Sequence, residues 1–133
     1  MADSIRVFIL DDHEIVRQGL VAVIGAEPDL MVVGQAATVQ RTLEVVEEVA
    51  PDVAVLDVRL GDGSGVEVCR DIRSAHPDVR CLMLTSFEDD QALVEASLAG
   101  AAGYVLKKAV GGDLLEAIRH VASGRQPLDR ATV

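Results

Sequence analysis

The chain has 133 residues and 14.1 kDa, enough for one domain with a single core, and half of its residues are apolar. Aromatics are only 2%, so that core must be built from Val, Leu, Ile and Ala. Twenty-two Asp and Glu against 12 Lys and Arg give a net charge of -10, which argues against direct contact with nucleic acid, although such acidity also serves solubility.

The first apolar run, "VFIL" (7–10), reads as a strand buried on both faces, and it ends in Asp11 and Asp12. Behind it Ile15, Val16, Gly19, Leu20, Val23 and Ile24 recur at helical spacing, predicting a helix that buries this stripe and leaves Arg17 and Gln18 outside. "EPD" (27–29) turns the chain into a second strand, "LMVVG" (30–34). Thr38 is placed to cap the second helix, and "APD" (50–52) closes it. The third strand, "VAVL" (53–56), ends at Asp57, and "HPD" (76–78) closes the third helix. "CLML" (81–84) ends at Thr85 and Ser86, with Asp89 or Asp90 capping a fourth helix. "GYVL" (103–106) ends at Lys107, and Leu114, Leu115, Ile118, Val121 and Ala122 mark the apolar side of a fifth helix. The apolar pattern fades after Gly124, so residues 1–124 are expected to be the domain and 125–133 a linker or tail.

Five β-α alternations predict an α/β fold, a doubly wound five-stranded parallel sheet of flavodoxin-like (CheY-like) order 2-1-3-4-5 with helices on both faces. Cys69 and Cys81 have apolar neighbours and read as buried reduced thiols. No apolar stretch reaches the roughly 18 residues of a membrane span. "MADSIRV" has neither a basic region nor an apolar targeting core, so a soluble cytoplasmic protein is expected.

Ligands of such sheets bind beyond the C-terminal strand ends, where strand order reverses. Asp11, Asp12, Asp57, Thr85 and Lys107 all stand at those ends. Three carboxylates gathered there demand a cation, and hard oxygen ligands with room for water suit Mg²⁺. Asp57 then has the setting of a carboxylate that attacks phosphorus and becomes an aspartyl phosphate, with the metal and Lys107 neutralising the transferring group.

"DDHEIVRQGL", "LDVRLGDGSGVE", "LTS" and "AGAAGYVLKK" together resemble the receiver domain of bacterial two-component response regulators. The subgroup is similar to NarL/LuxR-type transcriptional regulators, and within it to the actinobacterial dormancy regulators of the DosR/DevR kind. The resemblance implies that Asp57 accepts a phosphoryl group from a sensor histidine kinase. It implies Mg²⁺ bound by Asp11, Asp12, Asp57 and the backbone carbonyl of Arg59. Thr85 would hydrogen-bond one phosphoryl oxygen and Lys107 would pair with another. Ser86 would leave the group reachable, while Arg59 and Phe87 would tune its lifetime. Tyr104 would follow the Thr85 hydroxyl inward and switch the face of the fourth helix, fifth strand and fifth helix. Homodimers on phosphorylation are permitted, and DNA would be reached only through a C-terminal helix-turn-helix domain not present in this chain.

One departure from the family stands in "DVRLGDGSG", where Gly61 replaces the usual Pro four residues after the acceptor. Loss of Pro frees φ and restores a backbone N–H, so the loop 58–65 is expected to be more mobile, and Gly61→Pro to tighten it. "GDGSG" (61–65) follows the third strand and lacks a Gly-Lys-Ser/Thr ending, so it reads as a turn rather than a phosphate cradle. His13 reads as the surface start of helix 1 rather than a metal ligand or base. A Mg²⁺-dependent phosphohydrolase of the haloacid-dehalogenase type would carry a DxD motif after strand 1, whereas this strand ends "LDDHE". A switch that holds its phosphate, not a turnover enzyme, is therefore expected.

Overall fold

The computed structural model describes residues 4–61, 63–85, 99–106 and 112–124. Five strands, β1 (Ile5–Leu10), β2 (Leu30–Ala36), β3 (Val53–Asp57), β4 (Arg80–Thr85) and β5 (Gly103–Leu106), form one parallel sheet in the order 2-1-3-4-5. This is the predicted order. Around it stand α1 (Glu14–Gly25), α2 (Val39–Val49), α3 (Gly65–Ala75) and, as the last described helix, α4 (Gly112–Ala122). The predicted fourth helix, with its caps Asp89 and Asp90, and the stretch 125–133 lie outside the described residues.

The continuous apolar runs are explained by two cores, one on each face of the sheet. Alternate residues of β1 divide between them: Phe8 and Leu10 pack with Val46, Cys69 and Ile72 of α2 and α3, while Val7 and Ile9 pack with Leu20, Ile24, Leu114 and Ile118 of α1 and α4. Both cysteines are free and buried in the first core. Thr38 caps α2 as predicted, its hydroxyl accepting from the Arg41 N–H at 3.1 Å.

The α1 stripe needs correction. Leu20 and Ile24 are buried, but Ile15 is 83% exposed, and Val16 and Gly19 also face solvent. The apolar arc in the sequence is wider than the face that docks. Among the described residues, Ile15 and Val16 belong to neither core.

Between β3 and α3, Arg59–Leu60 and Gly63–Ser64 form a two-stranded antiparallel ladder. Its neighbours are pinned: Val58 N–H donates to the Leu84 carbonyl at 3.0 Å, and Gly65 N–H to the Val58 carbonyl at 2.8 Å. The N–H that Gly61 restores is engaged as well, as the site below shows.

Candidate functional site

Strand register gathers the polar ends. Leu10 pairs with Leu56 across β1 and β3, so the residues following them emerge side by side at the point where strand order reverses. Asp11 is 0% exposed and Asp57 is buried at the end of β3. Asp12 is half-buried beside them. Thr85 is buried one residue beyond Leu84, which is the register partner of Asp57, and it pairs with Leu106.

One ligand atom each from Asp11, Asp12, His13 and Asp57 can be chosen so that all lie within 4.8 Å of one another. Local hydrogen bonds fix most of these groups. The Asp11 carboxylate accepts from the His13 N–H at 2.9 Å, and its carbonyl accepts from Arg17 Nη1 at 2.8 Å, tying the start of α1 to the end of β1. Asp57 Oδ1 accepts from the Arg59 N–H at 3.3 Å. Asp12 Oδ2 accepts from the Gly61 N–H at 2.7 Å, a bond that Pro at this position could not donate.

Two buried oxygens, Asp11 Oδ2 and Asp12 Oδ1, have no hydrogen-bond partner among the described residues. Buried carboxylate oxygens without partners are costly, and neighbouring carboxylates repel. A cation relieves both penalties. The donor set of hard carboxylate oxygens fits Mg²⁺, and among the described residues no hydrogen bond engages the two oxygens it would use.

Two glycines and a histidine carry more than the sequence reading assigned to them. A Cβ on Gly65 would come within 2.0 Å of the Asp57 carbonyl oxygen, so the third helix begins pressed against the backbone of the residue at the heart of the site. His13 is the N-cap residue of α1 but makes no side-chain cap bond. Its side chain is 65% exposed, yet Nδ1 lies 3.2 Å from Asp12 Oδ1 and 3.4 Å from Asp11 Oδ1. The contact with Asp12 is one of proximity, since Oδ1 accepts no hydrogen bond. Adjacency to two aspartates was the signal in the sequence.

The remaining predicted residues are placed as follows. Arg59 is exposed on the ladder. Tyr104 pairs in register with Met83 and is half-buried against the core that holds Cys69 and Cys81. Lys107, which follows Leu106, lies outside the described residues, as do Ser86 and Phe87. Among the described residues no helix is long and apolar enough to cross a membrane.

Residues 7–119 match the family described as the response regulator receiver domain. The DNA-binding transcriptional activator DevR/DosR of Mycobacterium tuberculosis is 53% identical over 125 residues, which are 94% of this chain and 58% of that relative. The chain thus spans little more than half of the relative's length. The receiver domain of the response regulator NarL of Mycobacterium tuberculosis superposes with a TM-score of 0.88 at 31% identity, covering 93% of this chain and all of that one. A LuxR-family two-component response regulator from Aurantimonas superposes at 0.89 with 32% identity, covering 98% and 93%.

Proposed function

The chain belongs to the response regulator receiver domain family, within the transcriptional response regulators, and on that premise we propose that it is a phosphorylation switch with Asp57 as its acceptor. Receivers of this family are signalling proteins rather than turnover enzymes. The observation that carries the reading is the buried Asp57 carboxylate held beside Asp11 and Asp12, two of whose oxygens accept no hydrogen bond among the described residues.

In this reading an oxygen of Asp57 attacks the phosphorus of a phosphohistidine on a sensor kinase. The O–P bond of an acyl phosphate forms, the P–N bond breaks, and the imidazole leaves with the electron pair. Asp11, Asp12, Asp57 and the Arg59 carbonyl hold Mg²⁺, which when bound neutralises charge on the phosphoryl oxygens. Thr85 donates its hydroxyl to one phosphoryl oxygen and Lys107 pairs with another. Ser86 keeps the group accessible, and Arg59 and Phe87 set how readily water reaches it. Tyr104, half-buried at the β5 edge, moves inward behind Thr85 and changes the surface offered to a partner, including a second copy. Transcriptional control then runs through a DNA-binding output domain outside these 133 residues, in the cytoplasm, with residues 1–124 acting as the receiver unit.

Acetyl phosphate and Mg²⁺ should give a single phosphoryl adduct by intact mass, lasting many seconds or longer. Asp57→Asn should remove the adduct while leaving the circular dichroism spectrum unchanged. An adduct on Asp57→Asn moves the acceptor elsewhere, and fast consumption of acetyl phosphate with no adduct favours a hydrolase.

A further inference from the structure

The carboxylates account for a hard cation; His13 does not belong to that chemistry. Oxygen donors alone suit Mg²⁺, Ca²⁺ and Mn²⁺, whereas an imidazole nitrogen suits Zn²⁺, Ni²⁺ and Co²⁺. The spacing is that of a shared coordination sphere. Around a four-coordinate Zn²⁺ with bonds of about 2.1 Å, adjacent ligand atoms are about 3.4 Å apart. His13 Nδ1 stands 3.4 Å from Asp11 Oδ1 and 3.2 Å from Asp12 Oδ1. A second observation is independent of that spacing. Asp11 is fully buried, and its Oδ2 has no hydrogen-bond partner among the described residues.

We propose that His13, through Nδ1, is a nitrogen ligand that makes this cup a site for late first-row divalent cations, Zn²⁺ foremost, which compete there with Mg²⁺. The inference rests on the cup being a cation site, as above. The backbone is suited to it: the His13 N–H holds the Asp11 carboxylate at 2.9 Å, so the ring is carried by the same residue that positions its neighbouring ligand. Because the ring makes no cap bond, it is uncommitted to the helix start, and its exposed remainder leaves the site open to exchange.

Side-chain ¹⁵N NMR of histidine-labelled protein during a Zn²⁺ titration reads the ligand directly, with His76 and His120 as internal references. The His13 Nδ1 resonance should move on binding, with Nε2 remaining protonated. Calorimetric titrations with Zn²⁺ and Mg²⁺ supply a second readout. In His13→Ala, whose backbone N–H is retained, the ratio of Zn²⁺ to Mg²⁺ affinity should fall on the order of tenfold or more. His13→Gln, an uncharged side chain of similar reach, checks that the loss is one of the imidazole. An unmoved His13 Nδ1, binding through Nε2, or an unchanged ratio in both variants would overturn the proposal while Mg²⁺ binding leaves the cation cup standing. Failure of both metals to bind would remove the cup itself.

Discussion

At the residue scale, the candidate site gathers side chains the sequence placed at strand ends and two glycines whose contacts are tertiary. Asp11, Asp12, Asp57 and Thr85 were legible because a strand end fixes both where a residue sits and which way the chain leaves it. Gly65 was not, since nothing local shows that α3 starts against the Asp57 carbonyl. Gly65→Ala would place a methyl 2.0 Å from that oxygen, so the helix start or the β3 end must move. A loss of about 2 kcal/mol or more in urea unfolding is expected, together with slower labelling by acetyl phosphate. A stability change under about 0.5 kcal/mol would show that the contact relaxes freely. Gly61 is the subtler case. Its N–H donates to Asp12 Oδ2 at 2.7 Å, so the expectation that Gly61→Pro merely tightens the loop is incomplete. That substitution should leave Asp57 able to accept phosphate but weaken Mg²⁺ binding by about tenfold, because it removes a donor that orients the Asp12 carboxylate. Gly61→Ala keeps the N–H, and its Cβ would meet Asp12 Oδ2 at 3.4 Å, so its Mg²⁺ affinity should stay near that of the parent. Equal affinities in all three proteins would mean that the bond positions nothing.

Elements were read with uneven success, for physical reasons. Strands were located well, because burial on both faces leaves an uninterrupted apolar run: "GYVL" is β5 to the residue, and the other four runs fall inside the observed strands. Helix faces were harder. The composition of α1 permits a broad apolar arc, and only contact with the sheet selects Leu20 and Ile24 from it over Ile15 and Val16. Helix α2 shows a different kind of hidden cost. It ends at Ala50 with φ of 47°, the left-handed region, where the Ala50 N–H donates to the Val46 carbonyl at 2.9 Å. Ala holds this conformation against the clash of its Cβ, and Pro51 follows immediately. Glycine removes the clash but gives up backbone entropy on folding, so Ala50→Gly should stabilise by a net of about 0.5–1 kcal/mol. A higher urea midpoint with an unchanged slope is the expected result. A lower midpoint would mean that the entropy lost outweighs the strain relieved.

At the scale of the whole molecule, strand order was legible because right-handed β-α crossovers admit few arrangements, but the contacts that close the fold across its ends were not. Arg119 on α4 forks onto Asp29, Nε to Oδ2 at 2.8 Å and Nη2 to Oδ1 at 2.9 Å, and Nη2 also reaches Glu27 Oε1 at 2.7 Å. These partners lie 90 and 92 residues away, in a segment whose Asp29 carbonyl accepts the Ile5 N–H where β1 begins. No local pattern could pair them; only docking of α4 beside α1 against the same core brings them together. The hydrogen bonds from Arg119 are the main cause holding the Asp29 carboxyl below its ordinary value of 3.8. A carboxyl depressed on folding contributes stability above its unfolded pKa and loses that contribution as pH falls through the folded one. The difference in urea midpoint between the parent and Arg119→Gln should therefore be steady from neutrality to about pH 5, then shrink as pH drops below about 4. Because the cluster is partly exposed, the same difference should narrow in high salt at neutral pH. A gap that persists undiminished in both acid and salt would show that Arg119 acts through packing of its stem and not through its charge.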